Sequence, residues 1–209
     1  MVFRSFQSIL LGCFLGSVTM AMADENAYLL QEGDIVFSSS AAGQGRAIID
    51  ATGSPYTHCG IVIQQGGKLM VLEAMEPVRV TELDEFSSRS QPGTFTARRL
   101  ISPQPLKTYL KGRAWGEAQI GRRYDGQFRW NDEKMYCSEL VWKIYEKAGV
   151  RLCEPRRFRD YVLNQPSVRS IILERYDSME AFPLDEKVVA PSDVLNSKLL
   201  VEPPKIEPS

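Results

Sequence analysis

The chain has one histidine, His58, within YTHCGIVI (56–63), and a cysteine, Cys137, that opens CSELVWKIYEKAG (137–149). A thiol is a useful nucleophile only as thiolate, and with an ordinary pKa near about 8.5 it is mostly protonated at neutral pH. Two devices lower that value: a helix amino end, whose unpaired N–H groups favour negative charge, and a neighbouring imidazolium. Leu140, Val141, Ile144 and Ala148 recur on one helical face and Gly149 suits the position past a helix end, which predicts a helix over about 136–148 with Cys137 in its first turn. An imidazole beside it would supply the second device and return a proton to a leaving amine during acyl transfer.

The imidazole needs an orienting acceptor for its other ring nitrogen. CGIVIQ (59–64) and KLMVLEAM (68–75) read as strands joined at Gly66-Gly67. A two-residue turn pairs Gln65 with Lys68, places Gly60 opposite Glu73, and makes Glu73 the diagonal neighbour of His58 on the same face. A three-residue loop would put Glu73 on the other face. Glu73 also interrupts an apolar run, where an unpaired carboxylate is costly to bury. Each member has a plain structural alternative: a solvated histidine, a small buried thiol and an exposed strand end.

These residues need a frame. Arg4, an apolar run over 6–20 and Ala21-Met22-Ala23 form a secretory signal, so residues 1–23 are set aside and 186 remain. A lipoprotein signal with Cys13 as the lipidated residue is the alternative, weakened by the apolar run continuing past it. The remainder suits one domain over 24–200, followed by a proline-rich tail over 201–209 with little to bury. Removing the signal changes the formal charge from −1 to −2, a balance that suggests neither nucleic acid nor an anionic membrane surface as partner. No membrane-spanning segment is read in the mature chain, and oligomeric state leaves no mark on the sequence.

Three cysteines follow the signal, Cys59, Cys137 and Cys153, so at least one is unpaired. Cys59 and Cys153 read as small buried residues, with a disulfide between them as the alternative. One histidine and no C-x-x-C argue against a zinc site, and no cofactor is implied. The arginine pairs 98–99, 122–123 and 156–157 read as solvated faces, with contact to an anionic substrate as the alternative.

Short strands are predicted at about 33–39, 59–64, 68–75, 78–83 and 93–100, and a helix after Pro105 with Leu106, Tyr109, Leu110 and Ala114 on its apolar face. RSIILERY (169–176) fits strand or helix. Strands grouped before helices imply an α+β fold with an antiparallel sheet.

GDIVF (33–37), YTHCGIVI, VLEAMEPV (71–78), RRYDGQFRWNDEKMYCSELVWKIY (122–145) and ERYDSMEAFPLDEKVVAPSDV (174–194) resemble, in order, the YiiX-type permuted papain-like amidases. These are exported cysteine hydrolases related to NlpC-type cell-wall peptidases and to lecithin:retinol acyltransferase. The resemblance implies a helix presenting cysteine to an antiparallel sheet or barrel, with the histidine strand before the cysteine helix. It implies Cys137 as nucleophile, His58 as general base and acid, and Glu73 as orienter. Tyr124, in the YD pair, would stand near the site and donate to the oxyanion beside the Cys137 N–H, unless Tyr124 and Asp125 are a packing and turn pair.

The reading is a cysteine amidase acting on a peptide, N-acyl amino acid or lipid-like amide through a thioester. Alternatives are a lipid acyltransferase or esterase of the same fold, which would need an apolar channel that the sequence does not reveal, a non-catalytic peptide-binding module, or a redox protein using Cys59 and Cys153. Tyr56, Phe128 and Trp130 are candidate cleft residues.

Overall fold

The computed structural model describes residues 28–206. The signal read over 1–23 and Cys13 lie outside the described residues. Five strands follow the sequence expectation closely: β1 (Ile35–Ser38), β2 (His58–Gln65), β3 (Lys68–Ala74), β4 (Val78–Glu82) and β5 (Thr96–Leu100). With β8 (Leu200–Val201) they form one antiparallel sheet in the order β4-β3-β2-β1-β5-β8. The remaining elements among the described residues are α1 (Gly45–Thr52), α2 (Leu83–Ser88), α3 (Leu106–Glu117), α4 (Cys137–Lys147), α5 (Pro166–Tyr176), α6 (Pro191–Leu195), a 3-10 turn over Phe158–Asp160 and a small pair of strands, β6 (Arg156–Arg157) and β7 (Lys187–Val188).

The β2–β3 turn closes at Gly66 and Gly67 with φ of 58° and 79°, values that suit glycine and match the twist of a two-residue hairpin. Pairing runs from Gln65↔Lys68 to Gly60↔Glu73, the register expected from sequence. Strand parity then separates the two faces. Cys59, Ile61, Ile63 and Leu72 pack against Leu140, Val141 and Ile144 of α4, while Val62 and Val71 pack with Phe86 of α2 on the other side.

Helix α4 has the predicted stripe, yet it is buried all round from Cys137 to Tyr145. Its neighbour α3 corrects the expectation. Leu106 and Leu110 are exposed, and Ala114 is exposed too. The face that packs carries Gly112 and Gly116, because glycine lets the two helices approach more closely than any side chain allows. A Cβ at Gly112 would lie 2.3 Å from the Ile144 carbonyl oxygen, and one at Gly116 would lie 2.6 Å from Ile144 Cδ1. Gly112→Ala is therefore expected to destabilise the fold by about 1–3 kcal/mol through overpacking, even though alanine is the better helix former by about 1 kcal/mol. Urea unfolding of the variant measures this; an unchanged or raised midpoint would contradict the close-approach argument.

Two further expectations change. The described part of the proline-rich tail is tied down: β8 pairs with β5, and Tyr28 bridges Lys205. Arg99 is not simply solvated, since its guanidinium makes two 2.7 Å bonds to the wholly buried Asp34 carboxylate. RSIILERY lies within α5.

Candidate active site

The first turn of α4 is anchored on both sides of Cys137. The hydroxyl of Ser138 donates to the Val189 carbonyl at 2.6 Å, and the Tyr136 hydroxyl accepts from the Val189 N–H at 3.2 Å. Glu139, wholly buried, accepts from the Tyr136 N–H at 3.4 Å and from Lys143 Nζ at 2.7 Å. The sulfur is thus fixed at a helix amino end, where unpaired N–H groups favour its ionised form.

His58 opens β2, and its Nε2 lies 2.6 Å from Glu73 Oε2. An ionised carboxylate only accepts hydrogen bonds, so Nε2 carries a proton and Nδ1 is the atom left for the sulfur. Gly60 makes the diagonal reach feasible: a Cβ there would lie 2.4 Å from Val71 Cγ1 and 3.3 Å from Glu73 Cβ. Beneath the ring lies Phe86, stacked at 5.6 Å between centroids. The other oxygen of Glu73 accepts 2.6 Å bonds from the Thr81 hydroxyl and from Arg89, with Arg79 Nε at 3.8 Å.

The charges on these groups support one another. Burial would raise the pKa of Glu73, but the hydrogen bond and charge of His58, then Thr81 and Arg89, hold it down at about 2. Burial likewise opposes a charged imidazole, and the Cys137 charge and hydrogen bond, followed by those of Glu73, lift His58 to about 9. The Cys137 thiol is pushed well down, first by a hydrogen bond from the Cys59 thiol, which together with His58 and the Cys59 N–H outweighs the cost of burial. The consequence is a thiolate–imidazolium pair at neutral pH.

Tyr124 lies partly buried beside the same sulfur; desolvation and then the Cys137 charge push its phenol up, so it stays protonated. Its oxygen accepts a 2.7 Å bond from Gln44 Nε2, while Gln44 Oε1 is fixed by Arg175 at 2.7 Å. The phenol proton is therefore available to a third partner. The YD turn also has its structural role, since Asp125 accepts from the N–H groups of Gln127 and Arg129. Gln44 and Arg175, 131 residues apart, went unseen in the sequence. Thr81 was within reach of the same parity argument: β3–β4 pairing sets Glu73 opposite Arg79 and Val71 opposite Thr81.

An apolar cavity of about 110 Å³ has Cys137 and Tyr124 in its wall together with Ala47, Phe128, Phe158 and Ile172. Tyr56 and Trp130 do not line it; the first packs edge-on to Phe37 and the second to Trp142. Cys59, Cys137 and Cys153 are all free thiols.

This arrangement fits acyl transfer to sulfur: attack by a thiolate, proton return from His58 to a departing amine, and donors near the developing oxyanion. Residues 29–201 match the permuted papain-like amidase enzymes of the YaeF/YiiX type, C92 family. The chain belongs to this family. It is an enzyme of the cysteine-hydrolase kind, with an α+β fold in which the histidine strand precedes the cysteine helix.

Among relatives of this family, the uncharacterized protein YiiX of Escherichia coli is 34% identical over 175 residues, which span 83% of this chain and 86% of that protein. A crystal structure of the metalloprotein YiiX from Escherichia coli O157:H7 superimposes with a TM-score of 0.78 at 34% identity, covering 85% of this chain and 98% of that one. Among the described residues here, no group of three or more His, Cys, Asp or Glu side chains is arranged to hold a metal ion. Nor is any helix among them long and apolar enough to cross a membrane.

Proposed function

We propose that this amidase cleaves the amide bond between an apolar acyl chain and a polar amine, with Cys137 as nucleophile, His58 as acid and base, and Glu73 as orienter. The observation that carries the reading is the apolar cavity sharing a wall with Cys137. Acylation leaves the acyl group on sulfur, so the group that the adjoining cavity favours is the chain of an N-acyl amino acid or lipid amide. A cell-wall peptide would bring polar groups with few partners there. Export is part of the proposal, on the strength of the signal over 1–23, and Cys13 lipidation is the alternative address.

Each methylene buried is worth about 0.8 kcal/mol, so kcat/KM is expected to rise roughly fourfold per carbon across a series of N-acyl amino acids until the cavity is full. Ala47→Trp, which fills the α1 side of the cavity, is expected to shift the optimum to shorter chains. Equal turnover across the series, or faster turnover of muropeptides, would overturn the acyl-chain reading. The acyltransferase alternative uses the same cavity and differs in the acceptor; product analysis with water against an added alcohol or amine separates the two.

A further inference from the structure

The thiol at position 59 helps to lower the pKa of the nucleophile, and a second thiol placed against Cys137 can do more than that. Cys59 follows His58 on β2, and strand alternation turns its side chain to the opposite face, toward α4. It is wholly buried in the same apolar cluster as Cys137. Its side chain belongs to the apolar cluster that packs β2 against α4, close enough for the Cys59 thiol to help lower the pKa of Cys137. Both cysteines are free. Cys137 is also the cysteine that lines the cavity, so a small oxidant reaches it first.

We propose that Cys59 is the resolving thiol of Cys137, and that hydroperoxides switch the enzyme off reversibly by closing a Cys59–Cys137 disulfide. In the first step the Cys137 thiolate attacks the terminal peroxide oxygen. An S–O bond forms, the O–O bond breaks, and the departing hydroxide or alkoxide takes a proton from His58. In the second the Cys59 sulfur displaces hydroxide from the Cys137 sulfenic acid; an S–S bond forms, the S–O bond breaks, and the thiol proton leaves with the hydroxide as water. The two sulfurs together give two electrons to the peroxide. A low-pKa thiolate beside a second thiol is the arrangement that diverts a sulfenic acid from over-oxidation. With its sulfur engaged, Cys137 can neither attack substrate nor pair with His58, and a dithiol restores it.

The inference rests on Cys137 being an activated thiolate, so the experiment reads the two separately. The full chain is first alkylated with iodoacetamide at about pH 6, where an ordinary thiol is almost wholly protonated. It is then, in a second sample, treated with hydrogen peroxide in slight excess, digested with trypsin without reduction and mapped by mass. Selective alkylation of Cys137 supports the thiolate; its absence defeats the nucleophile assignment itself. With the thiolate present, the expected result is loss of two hydrogens, a cross-link between peptides 47–68 and 135–143, loss of alkylation at Cys137, and recovery of both on adding dithiothreitol. Cys153→Ser should give the same cross-link. Cys59→Ala and, as a second variant, Cys59→Ser should instead gain two or three oxygens on Cys137 that dithiothreitol does not remove. Selective alkylation followed by over-oxidised Cys137 in the unmutated chain, or by a link from Cys137 to any other cysteine, overturns the switch and leaves the hydrolase reading standing.

Discussion

Replacing Cys137 with alanine is expected to lower amidase turnover by about 10⁴–10⁶-fold, and His58→Ala should cost nearly as much. The two losses should not add, because a nucleophile without its base and a base without its nucleophile disable the same step. The accompanying measurement is the pH profile of alkylation at Cys137. A lowered pKa also lowers the intrinsic nucleophilicity of a sulfur, so the height of the rate at one pH is a poor criterion. Its shape is the better one. A free thiol gains about 100-fold between pH 6 and 8, whereas Cys137, already ionised by Cys59 and His58, should react at a nearly constant rate until His58 loses its proton near pH 9. Cys59 and Cys153 stay silent in this interval, since burial raises both thiols, Cys153 to about 12. A Cys137 profile that climbs like a free thiol would remove the basis for calling it the nucleophile.

The same pairings make stability depend on pH, in opposite senses for the two partners. His58 has a folded pKa raised from 6.5 to about 9, so its contribution is complete below 6.5 and is lost as pH rises through about 9. The carboxyl of Glu73 is depressed from 4.5 to about 2, so its contribution is complete above 4.5 and is lost as pH falls through about 2. Between 4.5 and 6.5 neither of these two changes, but the Cys137 thiol, pushed well below its ordinary value of 9.0, makes stability rise with pH there; from 6.5 to about 9 that gain and the His58 loss offset, and the site is most stable in that interval.

What could be read in the sequence was whatever strand parity or helical period encodes. His58 and Glu73 share a face because opposed residues across a two-residue turn keep a constant sum, and α4 begins at Cys137 because its apolar stripe and Gly149 bracket it. Helix α3 was legible as a helix but not in its orientation: the periodic leucines face water, and the contact is made by glycines that a hydrophobic pattern cannot register. Of the cavity only Phe128 was legible, among three aromatic candidates of which Tyr56 and Trp130 lie elsewhere. Its wall draws on Ala47, Phe128, Phe158 and Ile172, from segments far apart that converge only in the folded chain. The Arg175–Gln44–Tyr124 chain is hidden for the same reason. The short α1 that contributes Gln44 and Ala47 has no capping side chain to announce it.

Glu73→Gln is expected to be nearly as damaging as loss of the histidine, about 10³–10⁴-fold in kcat, although it changes one atom. The wild-type carboxylate accepts from His58 on one oxygen and from Thr81 and Arg89 on the other. A glutamine has one acceptor and one donor end. Arg89 can only donate, so the amide oxygen is drawn to the Arg89 and Thr81 side, which turns the NH₂ toward His58. The ring must then accept at Nε2 and carry its proton on Nδ1. That tautomer points a proton at the sulfur as a neutral donor and cannot take one from it, so the ion pair is lost. The expected signature is a folded protein whose Cys137 alkylation now rises steeply with pH like an ordinary thiol, together with the fall in kcat. A merely structural carboxylate would lower the unfolding midpoint and leave the pH profile of the remaining folded protein unchanged. Turnover within about tenfold of wild type with a flat profile would mean that the orientation of His58 comes from elsewhere, the stacked Phe86 being the remaining contact able to hold it.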